Sequence, residues 1–164
     1  MDVDTDPRLP FNRMMAEDNS DIQKFAAARL GGTAFFVSLG AEVLEIARGR
    51  ARSRLPYAPH LVGDPDTGVV HGGAITAMLD QTCGMAVASA LKELMPFATL
   101  DLRIDYMKPA EPHADIFIEA ECLKVTHEVA FTRGIAYQSS AEQPIALSTG
   151  AFMLIRAGGG KTGG

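Results

Sequence analysis

With 164 residues, 47% of them hydrophobic, the chain has the size and apolar content of one ordered globular domain. Its net charge of −5 argues against general nucleic-acid binding while leaving room for a local basic site that takes an anionic ligand. The two cysteines, Cys83 and Cys122, sit in apolar surroundings without metal-ligand spacing, as reduced core thiols of a cytoplasmic protein do.

Met1 to Pro10 lacks a basic start followed by an apolar run, so no secretory signal is expected. Residues 1–32 read as a leader ending in a short helix, which Asn19 or Ser20 caps and Gly31-Gly32 stops after Arg29. The main domain spans 33–156. From Thr33 the character turns to strand, first over Ala34 to Leu39 and then over Val43 to Arg54, where alternation is imperfect. Leu55 to Gly68 holds three prolines and two glycines and reads as a long loop. Ala74 to Leu94 follows as a helix with apolar residues all round, the mark of a buried one. Asp80, Gln81 and interspersed small polar residues break this run, so a membrane span is not expected.

Thr99 to Tyr106 alternates polar and apolar as a half-buried strand should. Ala114 to Val125, Glu128 to Gln138 and Pro144 to Ile155 supply three more strands, and 157–164 is a mobile tail with five glycines in eight residues. One buried helix followed by four antiparallel strands, with one or two strands before it, predicts a curved sheet wrapped around the helix. The fold class is α+β.

The chemistry concentrates in His71-Gly72-Gly73 at the mouth of the helix and in Asp80, eight residues after Gly72. The first amides of a helix have no partner inside it, and the aligned peptide dipoles add partial positive charge there. Such an end can polarise a carbonyl and stabilise an oxyanion, and a glycine lets a ligand come close. The glycines could equally make no more than a tight turn into the helix. A carboxylate in an apolar helix costs free energy unless it is paired or used, so Asp80 is either salt-bridged, capping a loop, or catalytic. Eight residues of helix place it roughly 12 Å from Gly72. One bond can meet both groups only if two such helices run antiparallel across a two-fold axis, which requires a dimer.

The order of strand, long loop, His-Gly-Gly, six residues, Asp, and then Thr99-Leu100-Asp101-Leu102-Arg103-Ile104-Asp105-Tyr106-Met107-Lys108-Pro109-Ala110 resembles a hotdog-fold acyl-CoA thioesterase. The resemblance is to the phenylacetate-degradation branch of the 4-hydroxybenzoyl-CoA thioesterase superfamily and runs from about Phe35 to Phe152. It implies a curved antiparallel sheet around one central helix, and a homodimer that pairs again as a dimer of dimers. It also implies that Gly72 polarises the thioester carbonyl while Asp80 of the partner acts as general base or nucleophile. By the same resemblance His71 holds the loop and thioester, and Thr99 assists Asp80 or the attacking water. The asparagine usual in the preceding loop is replaced, its nearest equivalent being Asp64.

Gly73 shares the helix end with Gly72, and Gln81 points about 100° from Asp80 toward a neighbouring wall of the cleft. Lys108 and Arg133 are candidates for the phosphates of coenzyme A, with solvated surface charge as the alternative for both. His60, His113 and His127 fall in or beside loops as ordinary turn residues, and Cys83 reads as core packing rather than a nucleophile. No His-Glu-x-x-His or Cys-x-x-Cys spacing occurs, so no metal is expected, and no cofactor beyond the coenzyme A of the substrate. The competing readings are an acyl-CoA-binding protein without catalysis and a hydratase or dehydratase using His71 with Asp80.

Overall fold

Residues 27–30 are helical and stop at the Gly31-Gly32 turn, where the Gly31 amide donates to the Ala27 carbonyl at 3.0 Å. This computed structural model describes residue 24 and residues 27–93 and 95–155, so the cap expected at Asn19 or Ser20 and the tail 157–164 lie outside the described residues.

The strand expected over Ala34 to Leu39 is instead a short helix, α1 (Ala34–Ser38). Its cap decides the matter: the Thr33 hydroxyl accepts from the Phe36 amide at 3.4 Å. Phe36 buries while Phe35 and Val37 stay 65% and 60% exposed. An apolar run this short fits helix and strand equally, and only the polar residue ahead of it separates them. The single strand expected over Val43 to Arg54 is a hairpin, β1 (Glu42–Ala47) and β2 (Arg50–Leu55). Gly49, at φ +73°, makes the tight turn between Ala47 and Arg50.

The loop after Leu55 contains a 3₁₀ turn (Pro59–Leu61) and a small hairpin of β3 (Val62–Asp64) with β4 (Val69–Val70). The long helix α2 (Gly72–Ala90) starts two residues before its expected bound and ends well before Leu94, because Leu91 turns extended at ψ 144°. Strands β5 (Phe97–Tyr106), β6 (Ile116–Val125), β7 (Val129–Tyr137) and β8 (Ala146–Leu154) fall where alternation puts them.

Six strands form one antiparallel sheet in the order β1-β2-β6-β7-β8-β5. Helix α2 packs against one face of it, chiefly on β6, β2 and β7, with twelve of its 19 residues buried, which explains why its apolar residues lie all round. Small residues on the facing strands let it approach closely. A β-carbon added at Gly134 would lie 2.6 Å from Ser148 Oγ and 3.2 Å from both Cys83 Sγ and Leu79 Cδ2. Gly134→Val should therefore cost about 1–3 kcal/mol through overpacking and lower the melting temperature by several degrees. An unchanged thermal midpoint would show that the helix does not sit against β7 in this way.

The buried hydroxyl of Thr82 is satisfied locally, whereas that of Ser148 on β8 has no hydrogen-bond partner among the described residues. Thr82 donates to the Met78 carbonyl at 2.7 Å and takes the Ser53 hydroxyl at 2.6 Å, which ties α2 to β2. The outer face carries charges instead. Glu121 stands between Arg50 and Arg133 at 2.9 and 2.7 Å. Burial alone pushes its carboxyl pKa up, but the Arg50 and Arg133 guanidiniums more than reverse that and hold it below its ordinary range. Among the described residues no helix is long and apolar enough to cross a membrane.

Candidate active site

The amino end of α2 is built by His71. Its backbone is extended at φ −60° and ψ 130°, and its Nδ1 accepts from the Gly73 amide at 2.9 Å. An accepting ring nitrogen carries no proton, so the cap fixes the ring with its other nitrogen as the donor. The His71 amide donates in turn to the Leu61 carbonyl at 2.8 Å, anchoring the helix start on the 3₁₀ turn. The loop passes so near that a β-carbon on Gly63 would meet His71 Cα at 2.8 Å. Gly63 is thus part of the scaffold, and a glycine directly after Leu61-Val62 in the loop was its only sequence signal.

The Gly73 amide is committed to the cap. Among the described residues the Gly72 amide has no acceptor, so it is the donor this end offers to a ligand.

Asp80 lies two turns further along α2, half-buried, with Oδ1 accepting from the Thr99 hydroxyl at 2.8 Å. No basic side chain pairs with it among the described residues, which removes the salt-bridge explanation for a carboxylate in this helix. One oxygen is held by Thr99, and no partner for the other is seen among the described residues.

The same strand reaches the other end of the helix segment. Tyr106, at the end of β5, donates its hydroxyl to the Gly72 carbonyl at 2.6 Å and meets Thr76 Oγ1 at 2.9 Å. Sequence reasoning gave Tyr106 no role, because Thr99 and Tyr106 are seven residues apart and would face opposite ways on a regular strand. A bulge between Thr99 and Asp101, where β5 carries one residue more than β8, brings both onto the helix side.

The remaining candidates are dispersed. Asp64 closes its own turn: Oδ2 accepts from the Thr67 hydroxyl at 2.7 Å and Oδ1 from the Asp66 amide at 3.1 Å. The Thr67 bond, with help from Asp66, holds its carboxyl below the usual range. Gln81 donates to the Leu30 carbonyl at 2.6 Å and so ties α2 to the segment before Gly31. Lys108 is exposed just past β5. Arg133 lies on the sheet face away from α2, beside a cavity of about 420 Å³ that Arg50, Glu121, Ile135 and Leu147 also line. Neither Gly72 nor Asp80 lines that cavity. Cys83 is fully buried, and burial pushes its thiol up to about 11, so it is not poised as a nucleophile.

The thioesterase superfamily model matches residues 67–145, from the last turn of the loop to the start of β8. A solved protein of Pseudomonas aeruginosa is 46% identical over 80% of this chain and 98% of its own, with a TM-score of 0.73. A Halobacterium salinarum protein that carries a provisional esterase name is 29% identical over 126 residues, 72% of this chain and 82% of that one. A mutant of the phenylacetic acid degradation protein of Thermus thermophilus, 24% identical, covers 75% of this chain and 100% of its own at a TM-score of 0.67, a likeness of fold alone. The chain belongs to the thioesterase superfamily and has the hotdog fold.

Proposed function

We propose that the protein is an acyl-CoA thioesterase, acting as a homodimer on an aryl- or medium-chain acyl-CoA. The observation that carries this reading is the 2.8 Å bond from Thr99 to Asp80 on a helix whose first amide, at Gly72, is uncommitted. Both groups are tied to β5 of their own chain, and roughly 12 Å of helix separates them. One thioester therefore meets both only when a second chain supplies one of them.

Strand β5 is an edge of the sheet and leaves Leu100, Tyr106 and the following Met107 exposed at 54%, 49% and 59%. An open edge of this length invites another chain, and a two-fold axis across it sets the two α2 helices antiparallel. A dimer of such dimers belongs to the same expectation.

In this reading the thioester carbonyl accepts from the Gly72 amide of one protomer, and the charge that develops on its oxygen is stabilised there. Asp80 of the other takes a proton from a water held against Thr99, or attacks the acyl carbon itself. The carbon–oxygen bond forms as the carbon–sulfur bond breaks, and coenzyme A leaves as a thiolate that then takes a proton. Direct attack leaves a mixed anhydride on Asp80, which water opens to the free acid. Lys108, exposed beyond the same strand, is the candidate cation for the phosphates, since Arg133 faces away from α2. A hydratase reading needs His71 and Asp80 to work as an acid–base pair, whereas here His71 Nδ1 caps the helix and Asp80 is bonded to Thr99, two turns further on.

Incubation with benzoyl-CoA, octanoyl-CoA and crotonyl-CoA tests the reaction class. Stoichiometric thiol and acid from either of the first two is expected. Water addition to crotonyl-CoA without thiol release, or binding without turnover, would reject hydrolysis. Thr99→Ala should lower kcat about tenfold with KM roughly preserved, because Thr99 orients the reacting groups rather than holding the substrate. A loss larger than that from removing the Asp80 carboxylate would reverse the two roles.

A further inference from the structure

The geometry points to Tyr106 as a positioning residue for the Gly72 amide, an inference that rests on the hydrolytic reading above. A tyrosine hydroxyl has one proton, and at 2.6 Å it goes to the Gly72 carbonyl, so Thr76 is the donor in the 2.9 Å contact with the same oxygen. The peptide group joining Gly72 and Gly73 is thereby held from both sides: its oxygen by Tyr106, its nitrogen by His71 Nδ1 at 2.9 Å.

Two successive glycines are the residues least able to hold a helix start by themselves, since each gives up more backbone freedom than any other residue would. An oxyanion donor works by being in place before charge develops. The side-chain clamp supplies the rigidity that the sequence Gly72-Gly73 lacks. The ring sits close against Gly72, where a β-carbon would stand 3.3 Å from Tyr106 Oη and 3.5 Å from Cζ and press on it by a few tenths of an ångström.

Strand β5 then sets both ends of the catalytic segment, Thr99 at Asp80 and Tyr106 at Gly72. Its backbone is fixed on the inner side by pairing of Tyr106 with Ala146 and by the Met107 amide donating to the Ile145 carbonyl at 2.8 Å. Anything that docks on the open edge of β5 bears on both groups at once.

Tyr106→Phe keeps the ring and removes the clamp. Three readouts are needed: the melting temperature, steady-state kinetics with benzoyl-CoA and octanoyl-CoA, and amide hydrogen exchange of the free protein. The variant should melt within a few degrees of the wild type. Its kcat should fall about three- to tenfold with KM within twofold, and exchange at Gly73 should quicken by a similar factor while mid-helix amides stay unchanged. Thr76→Val should give a weaker effect of the same kind, because Tyr106 retains the Gly72 carbonyl.

Unchanged kcat despite faster exchange would make Tyr106 structural only. A kinetic loss without faster exchange would mean that the hydroxyl acts on the substrate directly, and either outcome overturns the proposal. A wild-type protein inert toward both thioesters would reject hydrolysis itself, and the positioning role with it, whatever the exchange rates show.

Discussion

Asp80→Asn is expected to lower kcat by about 10²–10⁴-fold while the melting temperature stays close to that of the wild type. The amide matches the carboxylate in shape, and its oxygen can still accept from the Thr99 hydroxyl that reaches Asp80 Oδ1 at 2.8 Å. It can neither take a proton from water nor attack an acyl carbon. No ion pair among the described residues is lost with the charge, so the fold has no reason to weaken. Thiol release at saturating benzoyl-CoA, together with a thermal melt, checks both halves. Near-normal kcat in a folded variant would remove Asp80 from the mechanism. A collapse of stability would instead make its bond to Thr99 the reason for the residue.

Much of this arrangement can be read from the chain before any coordinates. The buried helix announces itself because residues on all its faces are apolar, and β5 because Thr99 to Tyr106 alternates. The separation of Gly72 from Asp80 needs only the rise of a helix. What escapes sequence reading depends on pairing at a distance or on a single polar atom. Ala34 to Ser38 is helical because Thr33 caps it, and the apolar run alone carries no such information. Arg48-Gly49 divides one apparent strand into a hairpin, since Gly49 takes a positive φ that the neighbouring alternation conceals.

The site follows the same rule. That Thr99 serves Asp80 comes from resemblance, as nothing in a spacing of nineteen residues joins a helix to a strand. Tyr106 stays hidden because the bulge after Thr99 changes which way the strand's later residues face. The short polar residues of the loop and helix flank, Asp64 and Gln81, find partners close to hand in Thr67 and Leu30. A residue type suited to a ligand serves the local backbone just as well.

The shared site is the central claim, and a mixed dimer tests it most directly. One chain carries Asp80→Asn and the other Gly72→Pro, which removes the amide proposed to hold the oxyanion. Proline's backbone suits this position, the first of the helix after the extended His71, although its β-carbon would stand 3.3 Å from Tyr106 Oη and need that exposed ring to give slightly. The two chains are tagged differently, co-expressed and purified as heterodimers, after each homodimer has been shown to be folded and inactive. If each site takes Gly72 from one chain and Asp80 from the other, one site in the mixed dimer carries both lesions and the other carries neither. Thiol release from the best substrate should then recover to about half the wild-type rate per dimer, given independent sites. If both groups act within one chain, every site carries one lesion, and folded heterodimers that stay inactive would contradict the shared site.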